Sequence, residues 1–229
     1  MSFVERELYR KLVHLALSFL LLYPFFFPLP SFLNVYIYYS LGLLAAALLN
    51  SIVVKRFKLK TELEDFSREL HRFIDSFGER VRTPFTVLEE AIDEFHSFIE
   101  KQLSLLERDY EKREGYVGLL YGMIGAVVSL LIDPCHTFYG VVALAAVDAV
   151  ASISSLLLWR KGKTLGGEVI ALLVYLSLLL LCGGSVMQAV VTSVIVTVTE
   201  FISPEDNLTV PVVATVITAA LSLPSRCPV

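Results

Sequence analysis

The sequence predicts an all-α integral membrane protein with about seven transmembrane helices and a cytoplasmic antiparallel helical hairpin. Apolar residues make up 55% of its 229 residues, and the mean hydropathy is +0.68. Charged residues make up 18% of the chain, whereas an average soluble domain carries about 25%. Most of this charge falls between residues 55 and 114, so we divide the chain into apolar residues 1–54, a charged segment 55–114 and apolar residues 115–229.

Seven apolar stretches approach the roughly 20 residues that a helix needs to cross a bilayer. They lie at about 12–30, 33–54, 116–132, 137–158, 165–182, 184–202 and 207–223. Residues 184–223 are rich in Thr and Ser, and one broken hairpin is the alternative for that range. The basic N-terminus resembles a signal peptide, but no small-x-small cleavage site follows, so a retained first helix is expected.

From the N-terminus to residue 185, segments that carry Lys and Arg alternate with loops that lack them, which is the pattern that sets orientation in a membrane. The N-terminus, the start of the charged segment and the loop at 160–163 are positive. The loops at 24–31, 133–136 and 182–185 contain neither Lys nor Arg. The amino end is therefore predicted in the cytoplasm and the carboxyl end outside, in a multi-pass protein of the cell membrane or the endoplasmic reticulum.

The charged segment 55–114 has apolar residues at spacings of three and four, which is the pattern of a coiled-coil seam. Gly78 and Pro84 interrupt it, and Thr86 with Glu89 forms a capping box that starts a second helix. These signals predict the antiparallel hairpin. Its charges are most simply a solvated face, and docking onto the membrane surface or pairing into a homodimer is the alternative.

Asp148 is the residue that a membrane helix tolerates least, because it lies in the middle of the apolar run 141–150. A carboxylate at the centre of a transmembrane helix costs about 2.5–3.5 kcal/mol on insertion scales. Such a residue usually faces the bundle interior and has a function. The structural alternative is a carboxylate that pairs with a cation and holds two helices together.

The segment 160–168 combines Arg160, Lys161 and Lys163 with three glycines. It is not a P-loop. That motif requires a glycine at the position of Leu157, and it follows a β-strand, whereas this segment follows a predicted membrane helix. Cations and free N–H groups at the start of a helix nevertheless favour a bound phosphate. The alternative is a positive loop that only sets membrane orientation.

Two further polar groups lie at predicted cytoplasmic helix ends. They are Arg10, Lys11 and His14 in the first stretch, and Glu200, Asp206 and Asn207 around Pro204. Carboxylates beside cations at a membrane boundary suit a metal-bound polyphosphate, because Mg²⁺ takes one or two carboxylates together with phosphate oxygens. The topology brings both groups to the same face as the 160–168 loop.

The three cysteines show no C-x-x-C spacing, so a zinc site is not expected and ordinary loop or helix-end cysteines are predicted. A net charge of −4 gives no argument for nucleic acid as a partner, and none is expected.

Four segments, in this order, resemble motifs of the polyprenol kinase family, which comprises dolichol kinases, phytol kinases and CTP-dependent diacylglycerol kinases. Residues 7–14 resemble E-x-x-R-K-x-x-H, and residues 148–152 resemble the end of G-D-A-x-A-S. Residues 162–167 are similar to G-K-S/T-x-E-G, and Glu200 with residues 206–211 is similar to E…D-N-L/F-T-I/V-P. The resemblance covers residues 5–14 and about 117–215.

The resemblance implies a kinase that transfers phosphate from a nucleoside triphosphate, typically CTP, to the hydroxyl of a membrane lipid alcohol with Mg²⁺. On this basis the catalytic residues are predicted to be Asp148, Lys163 and Glu200, and the metal ligands Asp148 and Asp206. The predicted phosphate-binding residues are Arg10, Lys11, His14, Lys163, Thr164, Gly167 and Asn207. Asp148, Asp206 and Glu200 each remain candidates for the general base.

Three positions depart from the family pattern: Val147 replaces a glycine, Gly166 replaces the glutamate, and Glu168 replaces the usual following serine. These departures bear on the choice of nucleotide. Two other function classes remain as alternatives. One is a CTP-dependent cytidylyltransferase that forms a CDP-lipid, and the other is a membrane transporter or scaffold without enzymatic activity.

Overall fold

The computed structural model describes residues 3–51, 117–160 and 163–229, and the regular structure within them is entirely helical. The helices are α1 (Phe3–Phe26), α2 (Val35–Ser51), α3 (Val117–Ile132), α4 (Thr137–Trp159), α5 (Leu165–Leu181), α6 (Val186–Ile202) and α7 (Asp206–Ala220). The all-α prediction is confirmed for these residues, and each of the seven apolar stretches corresponds to one helix. Residues 184–223 form two separate helices instead of one broken hairpin.

The chain divides into two compact units by its internal contacts. Residues 1–47 and 117–229 form the first unit, and residues 48–116 form the second. The predicted helical hairpin at 55–114 belongs to the second unit and lies outside the described residues. The residues of the candidate functional site all lie in the first unit.

Helix α4 lies at the centre of the first unit, where it packs against α1, α3, α5, α6 and α7. Glycines set how closely two of these neighbours approach. A Cβ atom on Gly140 would overlap the Thr215 hydroxyl of α7, and one on Gly167 would overlap Ser155 of α4. Because the glycines have no side chain, α5 and α7 pack directly on the backbone and small side chains of α4.

Among the described helices, α4 alone has both the length and the composition of a membrane-spanning helix, and 56% of its most apolar 18-residue window is buried inside the protein. The other apolar helical stretches are shorter, at 10–17 residues. Helix length by itself therefore does not establish seven transmembrane spans.

The turn between α3 and α4 is built around Asp133. One oxygen of its carboxylate accepts hydrogen bonds from the backbone N–H groups of Cys135 (2.9 Å) and His136 (3.0 Å), and the other lies 2.9 Å from the His136 ring. Burial alone raises the pKa of Asp133, but these hydrogen bonds outweigh burial and hold the pKa below its ordinary value. The turn therefore carries an ionised carboxylate.

The C-terminal tail folds back onto this turn and is covalently joined to it. Cys135 forms a disulfide with Cys227, 92 residues away. The His136 ring lies 3.1 Å from the carbonyl oxygen of Leu223, and the Tyr139 hydroxyl donates to that of Pro224. The interpretation of all three cysteines as ordinary loop or helix-end residues was therefore wrong for two of them. Only Cys182 is free.

We expect the Cys227→Ser variant to unfold at a lower temperature than the wild-type protein, because a disulfide stabilises by about 2–4 kcal/mol through restriction of the unfolded chain. The tail's hydrogen bonds remain, so the variant should still fold. Melting of detergent-purified protein under non-reducing conditions measures the effect. Cys182→Ser is the matched control and should change little. Equal melting temperatures for Cys227→Ser and wild type would contradict the prediction.

Candidate functional site

Charged side chains from four helices and one loop meet beside the middle of α4. Helix α1 contributes Lys11 and His14, α4 contributes Asp148, the α4–α5 loop contributes Lys163, α6 contributes Glu200 and α7 contributes Asp206. The three carboxylates and Lys11 are buried. Residues that lie far apart in the sequence thus form one cluster, which we call the charged cluster.

Lys11 and Asp148 form a buried ion pair that joins α1 to α4. The exposed fractions of the two side chains are 6% and 5%. The second oxygen of Asp148 lies 3.5 Å from Nε2 of His14, which is also 3.2 Å from the carbonyl oxygen of Leu144. The pairing explains how α4 carries a carboxylate at its centre, since a buried charge is tolerated when an opposite charge compensates it.

Lys163 joins the ends of α6 and α7. Its Nζ donates hydrogen bonds to Oδ2 of Asp206 (2.9 Å) and to the backbone carbonyl of Glu200 (3.0 Å). It also forms an ion pair with Oε1 of Glu200 at 2.9 Å. Burial lowers the pKa of Lys163, but Asp206 and Glu200 outweigh burial and raise the pKa above its ordinary value. Lys163 is therefore a permanent cation in this cluster.

Asp148, Glu200 and Asp206 have the arrangement of a metal site. One carboxylate oxygen from each lies within 4.8 Å of the others, and all three residues are buried. Oε1 of Glu200 lies 2.9 Å from Nζ of Lys163, and Oε2 is in no ion pair among the described residues, which leaves Oε2 able to bind a cation. Oxygen donors of this kind suit Mg²⁺. The geometry thus adds Glu200 to the two predicted ligands, Asp148 and Asp206.

Two residues of the predicted phosphate site have structural roles in this conformation. The Thr164 hydroxyl caps α5 by accepting a hydrogen bond from the N–H of Gly167 (3.1 Å). Ser155 of α4 contacts both the hydroxyl and the backbone N–H of Thr164. The N–H of Gly167 is therefore engaged within the helix cap, and phosphate binding by these two residues stays a prediction.

The structure describes the contacts of Asn207 but not those of Arg10, the other predicted phosphate-binding residue. The backbone N–H of Asn207 donates to Oδ1 of Asp206 (2.8 Å), so the start of α7 orients that carboxylate. The side-chain oxygen of Asn207 is buried without a hydrogen-bond partner among the described residues. Arg10 lies in α1, and its side chain lies outside the part of the structure that is described.

Glu168 is the residue of this region that sequence reasoning missed. It is only 4% exposed and lies in the first turn of α5, where its carboxylate faces that of Glu200. The sequence held one signal, an acidic residue inside the apolar stretch 165–182. The direction in which Glu168 faces could not be derived from the sequence, because α5 is apolar on all sides and has no polar stripe.

The Lys11–Asp148 pair leads to a stability prediction. Asp148→Asn leaves the Lys11 ammonium group buried without its counter-ion, and breaking a buried pair from one side costs about 3–5 kcal/mol. The double variant Lys11→Met/Asp148→Leu removes both charges and should melt closer to wild type than the single variant does. Thermal melting in detergent ranks the three proteins. If the double variant melts at least as far below wild type as Asp148→Asn does, the two residues are not energetically coupled.

Comparison with known proteins leaves the site to be interpreted from its own chemistry. No protein-family model matches the chain, and it matches neither a curated protein nor a solved structure. A function is therefore inferred from the contacts of the charged cluster and from the ordered motifs of the sequence.

Proposed function

We propose that this protein is a membrane-embedded lipid-alcohol kinase. It transfers the γ-phosphate of a nucleoside triphosphate, CTP by the sequence resemblance, to an isoprenoid alcohol such as dolichol or another polyprenol, or to diacylglycerol. The observation that carries the proposal is the charged cluster itself, in which lysines and buried carboxylates alternate inside an apolar helical bundle. Ionisable residues inside an apolar bundle usually mark a functional site, and carboxylates beside lysines are groups that can hold Mg²⁺ together with phosphate oxygens.

The surface of the first unit supports a membrane location. Large apolar side chains are exposed on several helices, including Phe19 (69%), Leu157 (67%), Leu181 (81%) and Ile202 (71%). A soluble monomer rarely exposes apolar side chains on so many sides. Helices of 15–17 residues rise about 22–26 Å, and a bilayer with a hydrocarbon core of about 30 Å adapts to them by local thinning.

The disulfide supports the predicted orientation. Cys135 lies just before α4 and Lys163 lies just after it, so a spanning α4 separates them by the thickness of the membrane. Disulfides form and persist in oxidising compartments outside the cytoplasm. The Cys135–Cys227 end then faces outside, and the charged cluster opens to the cytoplasm, where nucleotides are found.

The chemistry of the cluster suits phosphoryl transfer, which depends on positioning and charge neutralisation more than on covalent catalysis. Mg²⁺ bound at the carboxylates would neutralise charge on the transferred phosphate. Lys11 and Lys163 form ion pairs with these carboxylates in the described structure. When Mg²⁺ binds the carboxylates instead, the two ammonium groups can bind phosphate oxygens. Asp148 and Glu200 are the candidates for accepting the proton of the lipid hydroxyl.

Purified protein with labelled CTP, Mg²⁺ and a polyprenol should form polyprenyl phosphate and CDP. Removal of one charged group that stabilises the transition state costs roughly 10²–10³ in rate, so Lys163→Met should lose about that factor while Lys163→Arg retains more. A panel of CTP, ATP, UTP and GTP gives the donor preference. Release of pyrophosphate instead of CDP would identify a cytidylyltransferase, and unchanged turnover in both Lys163→Met and Asp148→Asn would contradict the proposal.

The predicted orientation can be tested by labelling single cysteines introduced into a Cys182→Ser background. We expect Val229→Cys to react with a membrane-impermeant maleimide in intact cells, because the tail lies at the disulfide end. Arg160→Cys, at the exposed end of α4 nearest Lys163, should react only after the cells are permeabilised. Labelling of Arg160→Cys in intact cells would place the charged cluster on the wrong side for nucleotide.

A further inference from the structure

We propose that Glu168 and Glu200 bind a divalent cation directly, so that Glu168 is a metal ligand in this protein. The proposal deepens the proposed function and rests on it only for the role of the cation. Sequence motifs do not suggest this assignment, because the resemblance gives serine at position 168. The assignment of Glu168 follows from the carboxylate oxygens of the cluster that are not in an ion pair among the described residues.

The two glutamates form a buried pair of facing carboxylates. Glu168 is 4% exposed and Glu200 is fully buried, and the side chains lie within hydrogen-bonding reach of each other. None of their four carboxylate oxygens has a hydrogen-bond partner outside the pair among the described residues. Two ionised carboxylates cannot bond to each other, since both only accept. Either a proton or a metal cation must therefore lie between them, and the surroundings of the pair favour the cation.

The other carboxylates of the cluster already have cations. Lys11 pairs with Asp148, and Lys163 bonds to Asp206. Lys163 also lies 2.9 Å from Oε1 of Glu200, which leaves Oε2 of Glu200 and both oxygens of Glu168 outside any ion pair among the described residues. These three oxygens can therefore bind an added cation without displacing either lysine.

The balance of charge favours the same conclusion. Among the described side chains of the cluster, four carboxylates face two lysines and His14. When all four carboxylates are ionised, even a protonated His14 leaves an excess of negative charge, and buried charge that is not compensated is strongly destabilising. A hard divalent cation such as Mg²⁺ compensates it and is bound by carboxylate oxygens of this kind.

Trp159 packs against the first turn of α5. A Cβ atom on Gly166 would overlap the indole ring of Trp159. Glu168 lies on the same first turn of α5, on the side that packs against the cluster. Trp159 is the only tryptophan in the chain and thus provides a fluorescence signal close to the proposed site.

The test is Mn²⁺ binding to detergent-purified full-length protein without nucleotide, measured by electron paramagnetic resonance and by Trp159 fluorescence. The wild type should bind Mn²⁺, and Mg²⁺ should compete. Glu168→Gln and Glu168→Ser should weaken binding by at least about tenfold, since loss of even an outer-shell partner of a metal costs that much. Asp133→Asn, which removes a carboxylate at the opposite end of α4, is the control and should bind like wild type.

Both Glu168 variants should melt no lower than wild type in the absence of metal, because they remove one of two facing carboxylates, and they should gain less stability than wild type from added Mn²⁺. Unchanged Mn²⁺ affinity in both variants would overturn the proposal and indicate that the two glutamates share a proton instead. An equal loss in Asp133→Asn would also overturn it. Mn²⁺ binding that depends on Glu168, without kinase turnover, would support this proposal and refute the proposed function. Kinase activity with unchanged Mn²⁺ affinity in both variants would support the proposed function and refute this proposal.

Discussion

Compensation of buried charge is the constraint on which the rest of this structure depends. Carboxylates and ammonium groups that leave water lose several kcal/mol of hydration each, and only close opposite charges recover it. The chain meets this constraint by pairing across elements: Lys11 of α1 with Asp148 of α4, and Lys163 of the α4–α5 loop with the ends of α6 and α7. The same pairs that neutralise the charge therefore fix the relative positions of five segments.

Close helix packing makes these pairs possible. Lysine–carboxylate contacts of 2.9 Å require that the helix ends around the cluster approach one another, and bulky residues at the crossing points would separate them. Gly140 lets α7 lie directly on α4, and Gly167 does the same for α5. Fully buried Ser155 adds a hydroxyl contact to Thr164 beside the α4–α5 crossing, and the hydroxyl of fully buried Thr215 is satisfied within α7 by the carbonyl of Pro211. Small and hydroxylated residues are typical of helix interfaces in apolar surroundings.

The sequence predicted the helices well because apolar length is a property of each segment by itself. It also singled out Asp148, since a carboxylate at the centre of an apolar run is expensive wherever the helix packs. It could not predict which way Glu168 faces, because α5 is apolar all round and has no polar stripe to orient it. The Cys135–Cys227 disulfide was missed for a related reason: its partners are far apart in sequence, and connectivity cannot be deduced from spacing alone.

The polar groups at the two ends of α4 differ in how well they are satisfied. The end near Cys135 is held by a disulfide, by the ionised Asp133 and by hydrogen bonds from His136, Tyr139 and the tail, so its polar groups are well satisfied. The end near Lys163 keeps buried carboxylate oxygens without partners, which a protein tolerates only where binding supplies what is missing. Strong contacts at one end offset the unsatisfied charge at the other. Under the proposed function, the bundle keeps an incomplete site in place until a cation and a polyphosphate complete it.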